Sequence, residues 1–311
     1  MSTNSHDGTA TRIPSGEAAA YGPVGRSPWL DVDWREHQRW VLVGGQPVNT
    51  IDWGEGPAIV FVHGLSGCWT NWLEQLPVFA GERRVVAIDL PGFGYSPLGS
   101  EPISMSGYAR LLDGLLAELG VDAATVVGNS MGGFIGAELA IAFPQRVERL
   151  VLISAAGIST HRDPHVVRAV PTLRRLERVL LGGGGWLAAK SDAVASHPRL
   201  REAALGVVVR HPRRLPPPLT AEQVRGSGKP GFMQALEAVL DYELRDRLAE
   251  IACPTLVVWG DGDRLIHVGD ADVFAELIPD SRKVIFEDTG HMAMLERPAA
   301  FNALVRDFLA E

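Results

Sequence analysis

Short apolar runs and longer amphipathic stretches alternate along this chain. Ala58-Ile59-Val60-Phe61-Val62, entered through Pro57, is apolar on both faces, as a central strand covered on both sides should be. Arg84-Val85-Val86-Ala87-Ile88, Thr125-Val126-Val127, Arg149-Leu150-Val151-Leu152-Ile153, Thr255-Leu256-Val257-Val258-Trp259 and Lys283-Val284-Ile285-Phe286 repeat the signal. Between these runs the apolar positions take helical spacing. Trp69, Trp72, Leu73 and Leu76 follow the first run, and Tyr108, Leu111, Leu112, Leu115 and Leu116 mark a helix over about 104–119. Further helices are predicted at about 134–143, 271–277 and 298–310. Ahead of the series, Arg39-Trp40-Val41-Leu42-Val43 and Pro47-Val48-Asn49-Thr50-Ile51 flank Gly44-Gly45-Gln46, a hairpin signal. Strands alternating with helices predict an α/β fold with a mostly parallel sheet covered on both faces.

The alternation breaks between about 159 and 240. That stretch is rich in Arg, Pro and Gly, with helical patterns at 166–181, 200–209 and 232–240 and strong punctuation at 182–185, 216–218 and 226–231. It contains no buried-strand signal and reads as an inserted helical cap. Its arginines read as solvated helix faces. Residues 1–22 are rich in Ser, Thr, Gly and Ala and lack the apolar segment of a signal peptide. The expected organisation is a disordered tail at 1–28, an α/β core at 29–158 and 241–311, and the cap at 159–240.

In parallel sheets the chemistry gathers outside the carboxyl ends of the strands. Here polar, glycine-rich segments follow the apolar runs at 63–67, 89–96, 128–132, 260–263 and 290–291, so one wall of the molecule should collect all of them. The sharpest is Gly128-Asn129-Ser130-Met131-Gly132-Gly133, where a β-branched run stops and a helical pattern begins at once. Strand, tight turn and helix in that order make a nucleophile elbow. A serine on such a turn takes a strained conformation, and its neighbours must lack bulk. A serine hydroxyl also needs a base within reach and a third group to orient that base. His291, in the loop after the last apolar run, and Asp263 or Asp261, after the one before, are available in the right chain order.

Composition narrows the function further. With 46% hydrophobic and 21% charged residues the 311-residue chain can bury a large core. A formal net charge of −8 argues against a nucleic-acid partner, since phosphate binding needs a basic surface. Two cysteines, Cys68 and Cys253, stand far apart without metal-ligand spacing and read as buried free thiols in a reducing, cytoplasmic compartment. No apolar run approaches a membrane span.

The motifs His63-Gly64, Asp89-x-x-Gly92-x-Gly94-x-Ser96, Gly128-x-Ser130-x-Gly132-Gly133, Gly260-x-x-Asp263 and Gly290-His291 together resemble the α/β-hydrolase fold superfamily over roughly 41–309. The resemblance implies Ser130 as nucleophile, His291 as base and Asp263, three residues after Gly260, as the acid; Asp261 stays the alternative. A variant that moves the acid to the end of the preceding strand finds no carboxylate in Ile153-Ser154-Ala155-Ala156-Gly157-Ile158. The resemblance also assigns the oxyanion donors to the backbone N–H groups of Leu65 and Met131, and to His63 a structural role bracing that loop. His161, His165, His197 and His211 are expected on the cap surface, while His267 could place an extra imidazole near the acid loop. Cap residues Trp186, Leu187, Val207, Val208, Phe232, Met233 and Leu236 offer apolar wall material. Trp186, Phe232 and Met292 are the expected substrate-binding residues. No metal or cofactor is implied.

The implied activity is a serine hydrolase, a carboxylesterase acting on small-molecule esters. The elbow also resembles that of the meta-cleavage-product C–C hydrolases, though Leu65-Ser66-Gly67 lacks that group's Ser-Gly-Pro-Gly segment and Met292 stands in place of its tryptophan. Cofactor-free perhydrolases share the same machinery. The sequence leaves oligomeric state open.

Overall fold

The computed structural model describes residues 10–15, 21–159 and 190–311. Among the described residues nine strands form one sheet in the order β1-β9-β8-β7-β6-β4-β5-β3-β2. They are β1 (Thr11–Ile13), β2 (Gln38–Val43), β3 (Gln46–Trp53), β4 (Ala58–Val62), β5 (Arg84–Ile88), β6 (Ala124–Asn129), β7 (Val147–Ile153), β8 (Thr255–Gly260) and β9 (Ser281–Phe286). β3 pairs antiparallel with both β2 and β5; the other neighbours are parallel. Gly44 and Gly45 join β2 to β3 with φ of +56° and +87°, the positive pair that a tight two-residue hairpin turn requires.

Strand residues alternate between two cores, as a period of two demands. Val60, Val62, Val126 and Leu152 face the side covered by α2 (Met105–Glu118), α3 (Met131–Ala142) and α8 (Asp270–Leu277). Ile59, Phe61, Val127 and Ile153 face α1 (Leu76–Ala80), α9 (Ala293–Glu296) and α10 (Pro298–Ala310), together with Trp69 and Trp72. α3 is buried almost all round, from Met131 to Ala140. That is the environment expected of a helix apolar on every side.

Between β7 and β8 the chain forms α4 (Ser191–Ser196), α5 (Pro198–Leu205), α6 (Pro217–Gly226) and α7 (Phe232–Asp241). The proline run at 216–218 starts a helix as well as breaking the chain. Pro217 occupies the first turn of α6, where a missing N–H costs nothing. The helical pattern at 166–181, the glycines at 182–185, His161, His165, Trp186 and Leu187 lie outside the described residues.

The N-terminal expectation needs correction within 1–28. Thr11–Ile13 is a strand, parallel to β9 in register with Val284, Ile285 and Phe286, and Ile13 O accepts from Glu287 N at 3.0 Å. An edge strand offers unpaired backbone groups to any segment that can reach it. No helix among the described residues is long and apolar enough to cross a membrane.

Candidate active site

The sheet order reverses direction at β4 and β6. β5 lies on one side of β4, and β6 with every later strand on the other. Such a switch opens a crevice at the carboxyl ends of the two strands, which are followed by His63-Gly64 and by Ser130.

Ser130 sits between β6 and α3 with φ +57° and ψ −118°, far outside the helical and extended regions. Its backbone is over-determined: N donates to Ile153 O at 2.9 Å, while O accepts from Phe134 N and Ala156 N, both at 3.1 Å. The flanking glycines have no room for a side chain. A Cβ on Gly128 would lie 2.3 Å from Gly132 O, one on Gly132 2.1 Å from Val62 O, and one on Gly133 2.8 Å from Ala155 Cβ. Met131 is the first residue of α3, so its N–H has no intrahelical acceptor.

Across the crevice, Gly64 packs so closely that its Cβ would stand 3.0 Å from Ser130 Cβ. Gly67 N closes a tight turn onto Gly64 O at 3.0 Å, a bond that leaves Leu65 N–H aside. Ser66 holds a φ of +63° within this turn. Fully buried His63 fixes the turn from below. Its Nδ1–H donates to Gly64 O at 2.7 Å, and its Nε2 accepts from Leu90 N at 3.1 Å. That pattern defines one neutral tautomer, and burial pushes the ring's pKa down to about 4.

Asp89 is the other organiser on this side. Its buried carboxylate accepts from Trp69 N, Tyr95 N and Asn49 Nδ2, each at 2.8 Å. Burial raises its pKa against these three donors. Gly94 is glycine because a Cβ there would stand 2.0 Å from Asp89 Cγ.

His291 and Asp263 meet on the far wall. His291 Nδ1 lies 2.8 Å from Asp263 Oδ2, and both side chains are buried. Asp263 Oδ1 accepts from Leu265 N at 2.8 Å and Ile266 N at 3.0 Å. Burial alone would raise this carboxyl; the His291 ring and the two backbone donors hold it below the ordinary carboxylate value. With Nδ1 engaged by Asp263, His291 Nε2 is left buried and without a hydrogen-bond partner among the described residues. Asp261, two residues earlier, instead pairs with Arg12 at 3.3 Å on the surface.

Backbone bonds hold the histidine loop. His291 N donates to Val208 O at 3.0 Å, and His291 O accepts from Asn129 Nδ2 at 3.1 Å. Asn129 directly precedes Ser130, so a single side chain ties the serine turn to the histidine loop. Glu296, fully buried on α9, accepts from Gly290 N at 3.0 Å and Met292 N at 3.2 Å, one on each side of His291. Sequence reading named neither contact, because neither residue breaks a periodic pattern.

Met292 is buried beside His291. Phe232 opens α7, half-buried, where Gly231 N donates to Gly92 O at 3.0 Å. Trp186, the third expected wall residue, lies outside the described residues. His267 is exposed, and its Nδ1 accepts from Gly269 N at 3.0 Å. His211, expected on the surface, is half-buried and lies 2.8 Å from the Asp288 carboxylate. Cys68 is a buried free thiol and Cys253 a half-buried one. Among the described residues no group of three or more His, Cys, Asp or Glu could hold a metal ion.

Residues 57–298 match the family model of the alpha/beta hydrolase fold. The chain is 31% identical to a 2-hydroxy-6-oxo-2,4-heptadienoate hydrolase of Pseudomonas putida, over 88% of this chain and 96% of that protein. It is 32% identical to a 2-hydroxymuconate semialdehyde hydrolase of a Pseudomonas species, over 88% and 94%. Among solved structures, the N-acyl homoserine lactone degrading enzyme Est816 superposes with a TM-score of 0.69 at 28% identity, over 87% of this chain and all of that one. A thermophilic esterase from Thermogutta terrifontis gives 0.72 at 24% identity, over 88% and 98%, a likeness of fold.

Proposed function

The chain belongs to the alpha/beta hydrolase fold family, and on that premise we propose that it is a serine hydrolase cleaving carboxylic esters through an acyl-serine intermediate. The observation that carries this reading is His291, held at Nδ1 by Asp263 with a buried, unpartnered Nε2, in a loop tied through Asn129 to the Ser130 turn. In this mechanism Nε2 takes the proton as Ser130 Oγ attacks the ester carbonyl. Asp263 fixes the tautomer and stabilises the imidazolium that forms. The tetrahedral oxyanion is received by the N–H groups of Leu65 and Met131, each such donor being worth about 3 kcal/mol of barrier. His291 then protonates the departing alkoxide, and a water deprotonated by the same nitrogen releases the acid. The described part of the insertion, 190–240, roofs the site, with Phe232 and Met292 as apolar wall.

Est816, which degrades a lactone, a cyclic ester, favours ester chemistry. A second reading, hydrolysis of a C–C bond in a 2-hydroxy-6-oxo-dienoate, is favoured by the names of the Pseudomonas relatives. Met292 and the Leu65-Ser66-Gly67 loop depart from the pattern of that group and weigh against it.

A fluorophosphonate probe should label Ser130, and Ser130→Ala should fold yet lose the label. Labelling that persists in the folded variant removes Ser130 as nucleophile. Turnover of p-nitrophenyl esters of graded chain length, with a 2-hydroxy-6-oxo-dienoate alongside, separates the two readings. A dienoate kcat/KM above that of every ester would replace the ester assignment.

A further inference from the structure

The segment before the core reaches the histidine loop at Tyr21. The Tyr21 hydroxyl donates to Glu296 Oε2 at 2.7 Å and accepts from His211 N at 2.8 Å. Gly22 N donates to Glu296 O at 2.7 Å. The Tyr21 ring lies edge-on to His211, with centroids 5.3 Å apart, and both Arg214 and Arg297 stack over it at 4.8 and 5.0 Å. One side chain thus touches the insertion, at His211 and Arg214, and the helix that follows His291, at Glu296 and Arg297. Glu296 is shared in turn. Besides Tyr21 it accepts from Gly290 N, Met292 N and Arg210 N, the last at 2.9 Å and again from the insertion. Burial and the neighbouring Glu296 carboxylate keep the Tyr21 hydroxyl protonated, so that it stays a donor.

We infer that Tyr21 is a positioning residue of the active site, a clasp through which the N-terminal segment fixes the insertion's 208–214 stretch and the His291 loop to one another. This rests on the serine-hydrolase reading for its effect on catalysis, but not for its geometry. The backbone N–H groups of Gly290, His291 and Met292 and the His291 carbonyl lead to Glu296, Val208 or Asn129, and the first two are tied together through Arg210 and Tyr21. A group held this way keeps its ring in register with the nucleophile only while the clasp is made. Displacements of about an ångström at a reacting centre can cost on the order of 100-fold.

Tyr21→Phe keeps the ring and both stacked guanidiniums while removing the hydroxyl. The expected result is a fall of roughly 5- to 20-fold in kcat for p-nitrophenyl acetate and in the rate of fluorophosphonate labelling per folded molecule, with KM changed less than about two-fold. A tyrosine that merely stabilised the fold would lower the fraction of labelled molecules and leave the rate of each unchanged. That outcome overturns the proposal. Wild type that takes no label at all would instead count against the serine-hydrolase reading, and the clasp is then decided by hydrogen exchange. The amides of Gly22, Arg210, His211, Gly290 and Met292 should exchange in wild type as one group and about 10-fold faster in Tyr21→Phe. Separate rates in wild type, or rates untouched by the substitution, overturn it whether or not the enzyme turns over an ester.

Discussion

Asp261 and Asp263 are the same residue type two positions apart, and their surroundings separate them entirely. The Asp261 carboxylate is part of an exposed pair with Arg12. Such pairs contribute about 0–1 kcal/mol. The Asp263 side chain is fully buried, with three hydrogen bonds and His291 as one partner. Asp263→Asn should therefore lower kcat by about 10⁴-fold, the scale seen when a histidine loses the group that sets its tautomer. Asp261→Asn should stay within about two-fold of wild type. Steady-state kcat for both variants checks this, and the reverse ranking would move the acid to Asp261. The family resemblance, which places the acid three residues after Gly260, pointed to Asp263, and Asp263 is the aspartate that His291 meets. Glu296 and Tyr21 carried no comparable signal. Each acts through bonds to residues far along the chain, and a lone glutamate on a four-residue helix gives no period to read.

Elements show the same contrast between local and distant causes. β4, β6, β8 and the elbow were legible because burial on both faces and the Gly-x-Ser-x-Gly turn are local requirements. The position of β1 was not, since Thr11–Ile13 becomes a strand only by finding the free edge of β9, some 270 residues further on. α6 was hidden for another reason: its opening prolines carry the same letters as a chain break. The start of α3 offers a test of how tightly an element is specified by close approach. A Cβ on Gly132 meets the backbone oxygens Val62 O at 2.1 Å and His63 O at 2.7 Å, which cannot move without shifting β4. A Cβ on Gly136, one turn later, meets only Leu150 Cδ1 and Val126 Cγ1 at 3.2 Å. Gly132→Ala should cost 3 kcal/mol or more, about the upper end of the usual overpacking range. Gly136→Ala gains about 1 kcal/mol of helix propensity against a mild clash and should end near neutral. Denaturant midpoints for the two variants read this directly; equal midpoints would mean that the α3–β4 contact yields where it is described as rigid.

At the scale of the molecule, the insertion is attached to the sheet's carboxyl end at separated points, and this bears on substrate size. α6 docks on the 69–72 turn, where Asn71 Nδ2 donates to Gln223 Oε1 and Gln223 Nε2 to Thr70 O at 3.1 Å. α7 begins on the 89–96 loop, with Gly231 against Gly92 so closely that a Cβ on either would lie within 3.0 Å of the other residue. The 208–211 stretch is bonded to His291 and Glu296. With the head of α7 pinned by backbone contact, truncating Phe232 should leave its volume open, since the helix cannot settle inward to fill it. For the proposed ester substrates the consequence is graded. Each methylene buried in an apolar pocket is worth about 0.8 kcal/mol, roughly four-fold in kcat/KM. Wild type should therefore gain a few-fold per acyl carbon until the pocket ends, then fall sharply. Phe232→Ala should carry the rise to longer chains while acetate esters, too short to reach the roof, change less than about two-fold. A kcat/KM series against acyl length for both proteins decides the matter. Superimposable curves would mean that Phe232 packs within the insertion itself and that acyl length is measured by another wall, Met292 beside the histidine being the next to truncate.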